Sequence, residues 1–149
     1  MSSSTYTNDP EIQTRNFNRM ASEFSEKGYT LYDPYQTDGV KWMLERELNT
    51  TLISGGILAD ECGLGKTIQT LATLRANPVS KTLIVAPKCV IHQWQEMAEL
   101  LVPEASVRIH HGVDRPKNLK YYENLFKIKK QTIIISTYGM TVSGRKSRR

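Results

Sequence analysis

Between Ala59 and Thr67 the chain reads ADECGLGKT. Gly63, Gly65, Lys66 and Thr67 are the residue types that hold a phosphate chain. A tight turn ahead of a helix lets successive backbone N–H groups converge on phosphate oxygens, and glycine permits the dihedrals and the close approach. The helix N-terminus adds a favourable dipole. A lysine here neutralises charge on the β and γ phosphates, and a hydroxyl next to it holds Mg²⁺. The general pattern asks for glycine at position 60, and Asp60 stands there instead. By itself the run is also compatible with an ordinary glycine-rich turn.

What decides between the two is the company the loop keeps. GGILA (55–59) is a short apolar run, expected to be a strand that enters the loop. KTIQTLATLRA leaves it with apolar residues at Ile68, Leu71, Ala72 and Leu74, the spacing of a helix. Strand, loop and helix in that order form the phosphate-binding arrangement. Further strands are expected at TLIVA (82–86), SVRIH (106–110) and QTIIIST (131–137). VIHQWQEMAELLV between them is helical through Ile91, Trp94, Met97, Ala98 and Leu101, and Pro103 stops it. NLKYYENLFKI is a weaker helix. Strands alternating with helices imply an α/β fold with a parallel sheet and right-handed crossovers. Continuous apolar strands imply that the sheet is covered on both faces.

Two helices precede this region. DPEIQTRNFNRMASEFSEKG has Asp9 to cap it, Pro10 for its first turn, Gly28 to end it, and Phe17, Met20, Ala21 and Phe24 on one face. DPYQTDGVKWMLERELN offers Asp33, Pro34 and Gln36 as a capping box. Its apolar stripe is Val40, Met43, Leu44 and Leu48, and Gly39 weakens it locally. Residues 1–8 are polar and expected to be disordered. The organisation expected is a polar N-terminal segment with a helix (1–28), a partial nucleotide-binding domain (29–142) and a basic tail (143–149).

The 149 residues are 39% hydrophobic and 23% charged, ordinary values for a soluble domain. The net charge of +5 is unevenly placed. Residues 1–50 carry five basic and eight acidic groups, residues 51–100 four of each, and residues 101–149 eleven basic against three acidic. The basic third suits a polyanion, or is simply a solvated face with a basic tail. GRKSRR near the end reads as a disordered tail, a nuclear-import patch or a phosphate-binding tail. Cys62 and Cys89 sit in different motifs, which argues against a disulfide framework and for a reducing, intracellular setting. The first residues lack a secretory signal pattern, and no apolar run is long enough to span a bilayer. His92, His110 and His111 show no metal-ligand spacing and read as surface or strand-end residues.

GGILADECGLGKTIQTLATL closely resembles motif I of the Swi/Snf-type ATPases of helicase superfamily two, where D-E-x-G-L-G-K-T followed by I-Q is usual and aspartate is normal at the place of Asp60. Cys62 stands where methionine is common. Three other stretches resemble the family in the same order. LYDPYQTDGVKWMLERE is similar to the Q-motif, which places Gln36 on adenine. An amide can meet N6 and N7 of that base together, which favours ATP over GTP. Asp33 as an extra residue and Asp38 in place of glutamate depart from the usual pattern. TLIVAPKCVIHQWQEM resembles motif Ia and assigns Pro87, Lys88 and Gln93 to the DNA backbone, with Trp94 read as core. IIISTYGM resembles the next motif, with Thr137 and Tyr138 near a DNA strand. The resemblance covers about residues 29–142.

The resemblance implies a partial RecA-like lobe of a DNA-dependent ATPase. Asp60, Glu61, Cys62, Gly63, Leu64, Gly65, Lys66 and Thr67 would form the ATP loop, with Mg²⁺ on Thr67 and double-stranded DNA as the partner. The family hydrolyses ATP with a later D-E-x-H or D-E-G-H motif, and no apolar run after the loop ends in such a pair. TLIVA ends at Pro87, SVRIH at histidines and TIIIS at Thr137. The expectation is therefore the front of a motor, completed by downstream sequence or by a partner chain that supplies the missing lobe. The alternatives are a binding module that does not hydrolyse ATP and a truncated product.

Overall fold

Asp9 and Pro10 start a helix as their chemistry suggests. The Asp9 carboxylate accepts the Glu11 N–H at 2.9 Å, and α1 runs Pro10–Glu26 with Pro10 in its first turn. Gly28 at φ 81° follows its end, where its N–H reaches the Ser25 carbonyl. The computed structural model describes residues 9–48, 55–113, 115–128 and 131–141. The expected disorder of residues 1–8 and the basic tail from 143 lie outside that set. The chain divides into two compact units, Met1–Val79 and Ser80–Arg149.

In the first unit, α2 spans Tyr35–Leu48 and α3 spans Lys66–Ala76. The capping box expected for α2 is not formed. The turn from Tyr32 to Gln36 closes through the Gln36 N–H on the Tyr32 carbonyl, which leaves Pro34 before the helix and Asp33 off the cap position. The Asp33 carboxylate takes the Thr37 hydroxyl instead, at 2.5 Å, and the Gln36 side chain accepts the Tyr32 N–H at 3.0 Å. Met20 and Phe24 of α1, Val40 and Leu44 of α2, and Leu71, Ala72 and Leu74 of α3 are buried together. Burying each large side chain is worth about 1.5–3 kcal/mol. All residues from Leu71 to Ala76 are buried, so α3 is enclosed rather than amphipathic at this end. Arg75 is consequently buried, and Glu23 of α1 meets it with Nε–Oε2 at 2.7 Å and Nη2–Oε1 at 2.8 Å.

The strand expected at GGILA does not form. Residues 55–60 have no regular structure, and Ile57 is exposed. A strand needs a neighbour for its backbone N–H and C=O groups, and among the described residues this unit contains no strand to pair with.

The second unit carries the sheet: β1 Lys81–Val85, β2 Ser106–His110 and β3 Thr132–Ser136, all parallel in the order β1-β3-β2. In register, Val85, Ser136 and His110 form one row at the C-terminal ends. The chain moves from β1 across to β2 through α4 (Ile91–Leu101), then back to β3 through α5 (Leu119–Ile128). Opposite directions with the same right hand put these helices on opposite faces. α4 packs on β2 and β3 through buried Ile91, Ala98 and Leu101, while Trp94 and Met97 are half-buried. Ile133 and Ile135 in the central strand are fully buried, as a covered parallel strand requires. The expectation of cover on both faces fails at β1, an edge strand in this unit, where Leu83 is 59% exposed. α5 is tied to the sheet by aromatic contacts: Tyr122 to His110, and Lys81 over the Phe126 ring.

Glu23 holds the buried guanidinium group of Arg75 through two short contacts. Glu23→Ala should lower stability by about 1.5–3 kcal/mol in urea unfolding, whereas Arg19→Ala, whose 3.9 Å contact with Glu23 is exposed, should cost under about 0.5 kcal/mol. His110 titrates below its ordinary 6.5 because burial, and then the Arg115 charge, disfavour its cation. The unfolded chain therefore binds this proton more readily than the folded chain. The stability it contributes is present above 6.5 and is lost as pH falls below that value. Thermal melts between pH 7.5 and 5.5 should show a downward shift of Tm that is smaller in His110→Gln.

Candidate nucleotide-binding site

The glycine-rich loop owes its shape to two left-handed residues. Gly63 sits at φ 90° and Gly65 at φ 78°, values that cost an L-residue roughly 1–2 kcal/mol. Gly65 is the residue before α3, and no side chain caps that helix. The first-turn N–H groups of a helix have no partners within it, so this end presents the donor set that an anion needs. The Lys66 ammonium curls under the loop and donates to the carbonyls of Asp60 at 2.7 Å and Glu61 at 2.8 Å. An ammonium has three N–H donors, and these two bonds use two of them. Thr67 is half-buried in the first turn of α3, next to Lys66. Cys62, Gly63 and Leu64 form the exposed crest, and Cys62 and Cys89 are both exposed free thiols.

The structure brings Gln36 to this loop across 28 positions of sequence: its Nε2 donates to the Leu64 carbonyl at 2.9 Å. Its amide is nearly buried, and each end has one bond, to the Leu64 carbonyl and to the Tyr32 N–H. One N–H and one lone pair are left, the pair that adenine N7 and N6 would use. Gly65 is close by for a steric reason as well, since a Cβ there would lie 2.5 Å from Gln36 Nε2.

Gln69 is a participant that sequence reading passed over. It is fully buried under the loop, with Nε2 on Asp60 Oδ2 at 2.7 Å and 3.4 Å from the Leu64 carbonyl. Its signal was the position one helical turn after Lys66 together with Gly39, the glycine inside α2. A Cβ at Gly39 would collide with Gln69 Oε1. Gly39 therefore gives up helix propensity so that α2 can close on the loop. A Cβ at Gly56 would likewise strike the ring of Trp42.

The residues assigned to a nucleic-acid strand lie in the second unit, at the C-terminal end of its sheet. Ligands of open α/β sheets bind at that end. Pro87 and Lys88 are exposed just past β1, and Gln93 is exposed in the first turn of α4. Tyr138 is 63% exposed after β3. Thr137 is brought to the same edge but is buried, with its hydroxyl 3.1 Å from His111 Nδ1. His111, just past β2, thus joins the ends of two strands. His92 is exposed on α4. Among the described residues, no group of three His, Cys, Asp or Glu side chains could hold a metal ion. No helix among them is long and apolar enough to cross a membrane.

Comparison with known proteins gives a consistent result. The model of the SNF2-related domain matches residues 35–148. ATP-dependent helicase rhp16 of Schizosaccharomyces pombe is 44% identical over 84 residues, 55% of this chain and 10% of that protein. Putative ATP-dependent helicase/translocase YwqA of Bacillus subtilis is 36% identical over 117 residues, 72% of this chain and 12% of that protein. A Caenorhabditis elegans homolog of the SWI/SNF-related regulator of chromatin subfamily A containing DEAD/H box 1 is 35% identical over 130 residues, 79% of this chain and 12% of that protein. The chain thus spans about a tenth of the length of the relatives it matches.

Gly39→Ala tests the close approach of α2 to the loop. On an open helix this change would stabilise by about 1 kcal/mol. Here the methyl group meets a fully buried amide, so urea unfolding should show a net loss of stability.

Proposed function

Since the chain belongs to the SNF2-related domain family, as its match over residues 35–148 establishes, we propose that it is the ATP-binding front of a Swi/Snf-like, DNA-dependent ATPase motor. The observation that carries this reading is the bond from Gln36 to the Leu64 carbonyl. It sets an adenine-reading amide against a phosphate-binding loop. In this reading the backbone of Asp60, Glu61, Cys62, Gly63, Leu64 and Gly65 surrounds the phosphates, Lys66 offsets their charge and Gln36 recognises the base. Mg²⁺, held through Thr67, would supply further charge neutralisation at the β and γ phosphates. The names of the relatives, as ATP-dependent helicases, support ATP as the nucleotide.

The second unit would contact a duplex DNA backbone with Pro87, Lys88, Gln93 and Tyr138, and Thr137 would act from behind them through its bond to His111. The eleven basic residues between 101 and 149 favour such a polyanion. A second reading is a module that binds Mg-ATP without turnover. The two readings agree on Mg-ATP binding. They differ in whether DNA stimulates hydrolysis of the bound nucleotide.

Titration calorimetry of the chain with Mg-ATP should show binding that Lys66→Ala weakens about tenfold or more, a change of about 1.4 kcal/mol. Gln36→Ala should narrow the preference for ATP over GTP. Equal binding by the unmutated chain and Lys66→Ala would sink the proposal. DNA-stimulated ATP turnover that disappears in Lys66→Ala would overturn the reading without hydrolysis.

A further inference from the structure

Asp60 stands where a general phosphate loop has glycine, and the geometry gives it a partner. Its main-chain carbonyl takes the Lys66 ammonium at 2.7 Å, and its carboxylate takes Gln69 Nε2 at 2.7 Å. Glycine could supply the first contact but not the second. Gln69 is fully buried, so its amide cannot turn to water for a replacement acceptor. It is hemmed in from the other side by Gly39, the one residue type that leaves room for Oε1. The same Nε2 lies 3.4 Å from the Leu64 carbonyl, which also receives Gln36 Nε2 at 2.9 Å. One carbonyl on the crest of the loop is therefore shared by the base-reading amide and the buried amide.

We infer that Gln69 is a positioning residue for nucleotide binding: its buried amide fastens the Asp60 carboxylate to the Leu64 carbonyl and holds the phosphate loop in register with Gln36. This rests on the nucleotide reading proposed above. It makes aspartate at position 60 a requirement of this loop rather than a tolerated departure. A charge-assisted bond from a buried donor is also among the stronger hydrogen bonds a protein makes, so the loop is fixed at its start as well as at the helix. Gln69 touches no phosphate in this account. It acts on the nucleotide through Asp60 and Leu64.

The test is a double-mutant cycle on Mg-ATP affinity in the full chain, with Mg-GTP titrated in parallel and thermal melts run on every variant. Asp60→Gly, the change that restores the general glycine pattern, should weaken ATP binding about tenfold, and Gln69→Leu should do the same. Combined, they should cost far less than the product of the single losses, because the second change removes a partner already orphaned. Asp60→Asn keeps an acceptor oxygen and should stay within about threefold of the unmutated chain. Gln69→Leu should also narrow the ATP-over-GTP preference, because Leu64 carries Gln36; a general loosening of the fold would weaken both nucleotides alike. Asp60→Gly binding as well as the unmutated chain, multiplicative losses in the double variant, or an unchanged ATP-over-GTP ratio in Gln69→Leu would each overturn the inference alone. An unmutated chain with no affinity for Mg-ATP would overturn the nucleotide reading and this inference with it.

Discussion

The carbonyl of Leu64 has two lone pairs, and amides from two different helices point at it. Gln36 comes from α2 and Gln69 from α3. A loop rich in glycine has little of its own to hold it in one conformation. Side chains must do so from outside, and they can reach it only if the helices carrying them come close. That requirement explains the glycines around the site. Gly39 and Gly56 are places where a methyl group would strike Gln69 or Trp42, and Gly65 is pressed against Gln36. The first unit is arranged to bring three helices and one loop within reach of each other. The buried pairing of Arg75 with Glu23 then fastens α3 to α1 at the far end.

The second unit works on a different principle. Its position-setting force is the parallel ladder, which ends all three strands in one row at Val85, Ser136 and His110. Side chains just beyond that row are gathered by register alone. Pro87, Lys88, Thr137, Tyr138 and His111 need no network to be neighbours of the same sheet edge. The one side-chain bond among them, His111 to Thr137, turns the threonine inward and leaves the tyrosine facing out.

Much of this was legible from residue order. The helix periodicities, the three strands of the second unit and the loop with its helix follow from local pattern, and local pattern is what sequence carries best. Three things were not legible, each for a physical reason. The run at 55–59 has the composition of a strand, but strand formation depends on a partner elsewhere. The capping box at Asp33 has the right spacing, but the backbone closes a different turn and sends Asp33 to Thr37 instead. Cover on both faces of the sheet was inferred from apolar strands, yet composition does not say which strand lies at an edge, and Leu83 is on one. In the candidate site, Lys66 was marked by type and spacing, and Gln36 by its resemblance to the Q-motif. Gln69 was not, because a glutamine inside a helix reads as solvent-facing until a buried acceptor is placed beneath it.

The strand order β1-β3-β2 also fixes a sequence of events. The central strand is the last of the three along the chain, and the two that emerge first are not neighbours. Lys81 waits for Thr132 before it has a ladder partner, and Ser106 waits for the same residue. During synthesis these three strands can gain no inter-strand hydrogen bonds until Thr132 has emerged. Contacts that span so much chain form slowly, so β1, with its apolar Leu83, stays without a ladder partner for the longest stretch of synthesis.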